Sequence, residues 1–508
     1  MQLLCDACYI YMKNNELPVF QNYRENEDDN SIENRKFNEA ISQSLQSGEN
    51  DKKAPSVLEI LIDELNKYYR FVSLDRQLYV YDATYGYWRL IPASNSNYEL
   101  RLLIPYHLRS YAMKVNFSNL YEWLLVDSEK VKSDFFKEKK SWINFSDCAC
   151  NFNDGKKTKK REDLRFRYAL NVDYPSEEKS SGEFEKFVDR IFSDKKTKKE
   201  FYKFLAICFG NIRTLKYCFF FYGVPDSGKT TMLNVIKYIL GEENCASLSF
   251  AQFNNEFALT QLLGKRANLS GEVSGIGNKK LDVLKSITGN DTITASYKCK
   301  DHFQYQNQCI IVFACNVLPQ IDDFLEAQSF LSRVIIFPFS KSFKRENWDN
   351  KLLYKLINDV AGIFDCVRKG FKLLEEDKFE ILESDEMKNA KLAYAGNTDS
   401  FSVFSDEYIS SDKDSKVSSA EIQEAYRAFC NQKDFNELPS SKWAQVLKRN
   451  FACQPTTVVI EGKRCRAYKG IKIRKKTSEE ILEKEAVINN ASNSNNSFLP
   501  IMRRRQED

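Results

Sequence analysis

A chain of 508 residues implies two to four domains, at roughly 100–200 residues each. Hydrophobic residues at 43% provide for a sizeable core, while 75 basic against 71 acidic side chains leave a net charge of only +4. That balance excludes a globally basic nucleic-acid coat and moves any such contact to local clusters. Fourteen scattered cysteines do not form the paired framework of a small secreted scaffold, and no apolar run approaches the ~20 residues of a bilayer span. Met1-Gln-Leu-Leu-Cys5 has neither the basic nor the apolar region of a secretory leader. The expectation is a cytoplasmic protein with reduced thiols and no membrane partner.

In chain order, residues 1–55 read as a flexible arm, rich in Asn, Glu, Asp and Ser around Glu25-Asn-Glu-Asp-Asp-Asn30. Residues 56–140 read as an α+β domain. Leu58, Ile60, Leu61 and Leu65 fall at helical spacing, and Leu78-Tyr-Val-Tyr81 with Tyr87-Trp-Arg-Leu90 predicts a hairpin around Asp82 and Gly86. Residues 141–215 are expected to be mainly helical, with a helical period from Phe184 to Ile207 broken by Asp194-Lys-Lys-Thr-Lys-Lys199. From 216 to 345 short apolar strands alternate with helical stretches, the grammar of a mostly parallel α/β sheet. A helical connector (346–398), a small unit (399–475) and a low-complexity, disordered tail (476–508) complete the chain.

The apolar strand Cys218-Phe-Phe-Phe-Tyr222 runs into Gly223-Val-Pro-Asp-Ser-Gly-Lys-Thr230, and a helix from Thr231 to Leu240 follows. This is the phosphate-binding loop in its diagnostic context. Gly223 and Gly228 let the backbone of Val224, Pro225, Asp226 and Ser227 curl around a phosphate, aided by the helix N-terminus. Lys229 suits the β- and γ-phosphates of ATP, the Thr230 hydroxyl suits Mg²⁺, and Thr231 completes the binding stretch. Hydrolysis further needs a carboxylate near metal and water, a polar sensor and a cation for the transition state. Glu272 at the end of Ala267-Asn-Leu-Ser-Gly-Glu-Val273, Asn316 after the buried strand Cys309–Cys315, and Arg333 before Val334-Ile-Ile-Phe-Pro338 are the candidates. Singly, each also reads as an ordinary loop or surface residue.

Taken together, Gly223–Thr230, Gly264-Lys-Arg266 leading to Glu272, Leu284-Lys-Ser-Ile-Thr-Gly-Asn-Asp-Thr-Ile-Thr294, Phe313-Ala-Cys-Asn316 with Leu318-Pro319, and Ser332-Arg-Val-Ile-Ile-Phe-Pro-Phe339 resemble superfamily 3 helicases. The match is to the phage and plasmid primase–helicase branch that includes the poxvirus primase–helicase. The resemblance implies an α/β fold: an AAA+-like P-loop ATPase core, a helical N-terminal collar at 141–215 and a C-terminal winged-helix-like domain. It further implies a hexameric ring, DNA-stimulated ATP hydrolysis and 3′-to-5′ movement. By position, Lys229 and Thr230 serve phosphate and Mg²⁺, Glu272 polarises water and shares the metal, Asn316 is the sensor, and Arg333 is a finger completing a neighbour's site. Gly271 departs from the Asp common before the catalytic Glu, Ser332 from a paired arginine, and Ser296 from an arginine frequent in relatives.

Between Asp291 and Gln304 the pattern predicts a hairpin with the polar tip Lys298-Cys-Lys-Asp301. In the resembling family this hairpin lines the pore, so Lys298, Lys300 and His302 are candidate DNA contacts, with Lys285 in support. A solvated turn is the plain alternative. In 399–475, Ser418-Ser-Ala-Glu421 is a capping box, followed by a helix near Ser441–Asn450 and the basic strand Lys463-Arg-Cys-Arg-Ala-Tyr468. Two helices and a basic hairpin suggest a winged helix on double-stranded DNA, with Lys442, Lys448, Arg449, Lys463 and Arg464 as contacts. The alternative is a packing domain with a charged surface.

The functional expectation is a ring-forming, ATP-dependent DNA helicase for replication of a phage, plasmid or other mobile element, acting on single- and double-stranded DNA with a separate primase or other replication proteins. About 140 residues precede the expected collar and offer no Asp-x-Asp pair, so primer synthesis is not expected in this chain. Cys5-x-x-Cys8 and Cys148-x-Cys150 are poorly spaced for zinc. Rival readings are an ATP-switched replication initiator that does not unwind, a small-molecule P-loop kinase, and a DNA-binding adaptor with a relic loop.

Overall fold

The computed structural model describes residues 56–474, apart from 106–107, 137–138, 160, 176–179, 213–215, 272–280, 290, 299–301, 320–329, 344–348, 434, 436, 452 and 461–462. The fold is mixed α/β and divides into two compact units, residues up to 137 with 160–167, and 138–159 with 168 onward. The arm at 1–55 and the tail at 476–508 lie outside the described residues.

In the first unit, α1 (Val57–Tyr68) opens on a reciprocal capping box: Ser56 Oγ accepts from the Glu59 amide at 3.2 Å, and the Ser56 amide donates to Glu59 Oε2 at 2.6 Å. Strands β1 (Phe71–Leu74), β2 (Gln77–Asp82) and β3 (Tyr87–Ile91) are antiparallel. The β2–β3 turn is closed by Asp82 Oδ1, which accepts from Thr84 and Tyr85 amides at 2.9 and 3.1 Å, with Gly86 at φ +66°. Helices α2 (Ser96–Leu103), α3 (Arg109–Ala112) and α4 (Phe117–Asp127) follow, then β4 (Glu129–Lys130) pairs parallel with β1. Leu61, Leu65, Leu78, Ile91, Leu100 and Leu120 make the core.

The second unit begins with a small antiparallel sheet, β5 (Trp142–Asn144), β6 (Ala149–Asn151) and β7 (Lys157–Thr158), before α5 (Glu183–Ile191) and α6 (Lys195–Phe209). The 141–215 segment is therefore not helical throughout. Its first third pairs as short strands with Ile143, Asn144, Ala149 and Cys150 all buried.

Five parallel strands form the central sheet: β8 (Cys218–Gly223), β9 (Cys245–Ala246), β10 (Ala267–Ser270), β13 (Ile310–Cys315) and β14 (Val334–Phe339), in the order β14-β8-β13-β10-β9. Phe219, Phe221, Val312 and Phe337 enter one core, and Phe220, Ile311, Phe313 and Ile336 enter another. Both faces are covered, which is why these strands are apolar without alternation. Helix α7 (Lys229–Leu240) follows β8, α8 (Glu256–Leu259) precedes β10, and α9 (Leu281–Thr288) leads into the antiparallel hairpin β11 (Thr292–Ser296) and β12 (His302–Gln306).

After the sheet come α10 (Leu352–Asn358), α11 (Val360–Glu376) and α12 (Asp385–Tyr408). The boundary expected at 398/399 falls inside α12, which runs through Gly396-Asn-Thr398. Phe401 and Phe404 near its end pack with Trp443 and Tyr426, and this burial outweighs the low helical propensity of the Gly-Asn-Thr stretch. The remaining elements are β15 (Ile409–Ser418), α13 (Ser419–Lys433), α14 (Trp443–Phe451), β16 (Gln454–Ile460) and β17 (Lys463–Ile473), with sheet order β15-β17-β16. The Ser418–Glu421 box is formed: the Ser418 amide donates to Glu421 Oε2 at 2.8 Å, and Ser418 Oγ accepts from the Glu421 amide at 3.2 Å.

Candidate functional site

Strand β8 ends at Gly223, beside the end of β14. Gly223 has φ +156°, and a Cβ there would sit 2.0 Å from the Phe339 carbonyl oxygen, so only glycine fits. The Val224 amide donates to the same carbonyl at 3.2 Å, holding the loop against β14. Ser227 Oγ donates to the Val224 carbonyl at 2.7 Å, and the Phe343 amide donates to the Asp226 carbonyl at 2.9 Å with Asp226 at φ +57°. Gly228, at φ +89°, packs against Phe187 and Phe343 and is the N-cap of α7.

As a glycine, that N-cap supplies no side-chain hydrogen bond to the first-turn amides of α7. Pro225, Asp226 and Thr230 are exposed, Val224 and Thr231 half-buried, and Lys229 is buried in the curl of the loop. Its Nζ donates to the Gly223 and Val224 carbonyls at 3.1 and 2.5 Å and to Ser227 Oγ at 3.0 Å. Burial holds the Lys229 ammonium below its ordinary pKa, partly offset by Cys315 and Asp226. A cation sits inside a ring of backbone curvature at a helix N-terminus, an arrangement suited to an anion with several oxygens.

Cys315 pairs with Tyr222 across β13 and β8, so Asn316, the next residue, reaches the level of Gly223 and is exposed there. Burial pushes the Cys315 thiol up to about 12. Strand β10 ends at Ser270, opposite Phe313, and Gly271 is exposed at the same carboxyl edge. Glu272 lies outside the described residues. The strand ends at Ser270, before Gly271, and Asn268 within it is structural: its side chain exchanges hydrogen bonds with the Leu248 backbone at 2.7 and 3.0 Å.

Arg333 is elsewhere. Val334 pairs with Cys218, the first residue of β8, and the Cys218 amide donates to the Arg333 carbonyl at 2.7 Å. The guanidinium is therefore at the amino edge of the sheet, a six-residue strand from the loop, or about 20 Å. Its Nη1 donates to the Lys285 carbonyl at 3.1 Å and to Thr288 Oγ1 at 3.3 Å. The fold gathers Gly223–Thr230 and Asn316 at one edge and leaves Arg333 at the other.

Lys298 is exposed near the β11–β12 tip, and Lys300 is outside the described residues. His302 is exposed, with Nδ1 3.7 Å from Glu256 Oε2. Lys285 is half-buried in the last turn of α9. In the C-terminal elements Lys448 and Arg464 are exposed, whereas the side chains of Lys442, Arg449 and Lys463 are outside the description. Arg466, also exposed and two residues along β17, was not singled out by the sequence reading; the alternation of a strand would have pointed to it. Phe343 and Thr288 were likewise passed over, because their partners are distant in sequence. Among the described residues no three metal-ligating side chains gather, and Cys5 and Cys8 fall outside them.

A family model described as "Family of unknown function (DUF5906)" matches residues 221–333, the stretch from the end of β8 to Arg333. No curated protein matches the chain. Solved structures of the NrS-1 C-terminal region are similar at low identity. One apo form has 14% identity and a TM-score of 0.48 over 82% of this chain and 98% of that one. An A-form apo structure has 14% identity and a TM-score of 0.45 over the same shares, and another has 17% and 0.37 over 58% and 76%. At these scores the likeness is too distant to assign an activity.

Proposed function

We propose that this chain is an ATP-dependent DNA motor of the superfamily 3 helicase kind, serving replication of a phage, plasmid or other mobile element. The observation that carries the reading is the buried Lys229 ammonium within a glycine-hinged loop between β8 and α7, with Asn316 at the same sheet edge. In the order β14-β8-β13-β10-β9, the strand bearing the loop lies between two strands that come much later in the chain. That is a topological switch point, and open α/β sheets bind ligands outside the carboxyl ends of strands at such places.

In this reading the loop amides and Lys229 hold the triphosphate of ATP. Lys229 would exchange the Gly223 and Val224 carbonyls for phosphate oxygens. Thr230, an exposed hydroxyl in the first turn of α7, and Glu272 would hold Mg²⁺, which supplies charge neutralisation to the leaving phosphates. Asn316 orients the attacking water or senses the terminal phosphate. Arg333, at the other end of the sheet, cannot meet Lys229 of its own chain, so as a finger it serves a neighbouring subunit. That division supports a ring, hexameric by resemblance. Lys298, Lys300 and His302 would track single-stranded DNA, with Lys285 behind them. The order α12, β15, α13, α14, β16–β17 supports a winged helix, with Lys448 and Arg464 among its candidate duplex contacts.

The experiment is ATP turnover with and without single-stranded DNA, alongside displacement of a labelled strand. We expect DNA-stimulated turnover and displacement, both abolished in Lys229→Ala. Stimulation without displacement would instead favour an initiator switched by ATP, and turnover indifferent to DNA a small-molecule kinase.

A further inference from the structure

The last turn of α9 accepts hydrogen bonds from three directions. Arg333 Nη1 donates to the Lys285 carbonyl at 3.1 Å and to Thr288 Oγ1 at 3.3 Å. Asn307 Nδ2, just past the end of β12, donates to the Ile287 carbonyl at 3.0 Å. The Lys216 amide, two residues before β8, donates to the Thr288 carbonyl at 2.6 Å. The Thr288 hydroxyl, in turn, donates to the Leu284 carbonyl at 2.7 Å, which leaves its lone pairs facing Arg333. Thr288 is buried, so this orientation is fixed by packing.

A cation at a helix C-terminus is favoured by the partial negative charge there. The same turn carries one foot of the hairpin, since Gly289 and Asp291 lead directly into β11, and Asn307 ties the other foot to it. Arg333 and the hairpin therefore share a single attachment.

We infer that Thr288 is a positioning residue for Arg333, setting where its guanidinium stands for a neighbouring subunit and linking it to the β11–β12 hairpin. This rests on the motor reading above. Arg333 acts on the neighbour's nucleotide, Thr288 touches neither nucleotide nor DNA, and its effect passes through the Thr288 Oγ1–Arg333 contact. The link predicts that DNA on the hairpin and nucleotide at the next subunit influence one another.

Thr288→Val keeps the branched shape and removes the hydroxyl, both the acceptor for Arg333 and the donor to the Leu284 carbonyl, whereas Thr288→Ser keeps the hydroxyl. We expect Thr288→Val to lower DNA-stimulated ATP turnover by about tenfold, the scale of losing one bond to a charged donor, while affinity for a fluorescent ATP analogue stays as in wild type. Thr288→Ser should behave as wild type. Mixing Thr288→Val with Lys229→Ala subunits should restore turnover, because the first supplies an intact loop and the second a well-placed Arg333. Should Thr288→Val melt below assay temperature, Thr288→Ala is read in the same way. Wild-type-like turnover in Thr288→Val, or no recovery on mixing, overturns the inference while leaving the motor reading intact. A wild type without any nucleotide turnover removes the motor reading and this inference with it.

Discussion

Lys229 holds its charge in an unfavourable place, and that has a measurable sign. Burial lowers its pKa in the folded chain, so the ammonium is penalised there relative to the unfolded state, and the penalty is relieved as pH rises through the lowered value. A bound polyphosphate acts oppositely, favouring the ammonium. Nucleotide affinity should therefore be flat at neutral pH and fall as pH rises through the lowered pKa, before the ordinary lysine value of about 10.4 is reached. Titrating a fluorescent ATP analogue from neutral to alkaline pH checks this, and a flat profile would contradict it. Gly223 provides a second residue-scale test. Gly223→Ala places a Cβ 2.0 Å from a backbone oxygen that cannot move without parting β8 from β14. The expected loss is about 2–4 kcal/mol of stability, read as a lower midpoint in denaturant melts. These residues were legible from sequence because the loop is local, all of it within the eight consecutive positions Gly223–Thr230.

At the scale of elements, partners far apart in sequence decide matters that periodicity cannot. Arg266, matched by the resemblance only as part of Gly264-Lys-Arg266, is buried and caps the end of α6. Its Nε donates to the Cys208 carbonyl at 3.1 Å, and its Nη2 to Gly210 and Ile212 carbonyls at 2.6 and 2.9 Å and to Ile207. The Tyr168 ring lies 5.2 Å from the guanidinium. Arg266→Met strips these carbonyls of their donor and should cost about 3 kcal/mol, measurable by chemical denaturation; a loss under 1 kcal/mol would mean that water replaces the guanidinium. The capping box of α13 was legible, since Ser418 and Glu421 are three residues apart, and Ser418→Ala should cost about 1 kcal/mol. The passage of α12 through Gly396 was not legible. Its cause is the stacking of Phe401 on Trp443 at 4.8 Å, a contact across 42 positions by the residue numbers (443 − 401).

On the scale of the whole molecule, strand order is what divides the site. The alternation of apolar strands and helices announced a parallel sheet, but no local pattern says that β8 lies between β13 and β14. That placement puts Asn316 beside the loop and Arg333 at the far edge, and on the proposed reading it divides the candidates into two half-sites. Glu272 and Lys300, beyond the described residues, add nothing to this division, which stands on β8, β13 and β14 alone.

If the loop and Arg333 serve one reaction, as proposed, the two halves meet only between chains. Lys229→Ala subunits keep Arg333, and Arg333→Ala subunits keep the loop, so each pure protein should be inactive. Mixed in equal amounts, they should regain part of the wild-type DNA-stimulated ATP turnover, through interfaces where an intact loop faces an intact Arg333. A mixture as inactive as its components would contradict the account.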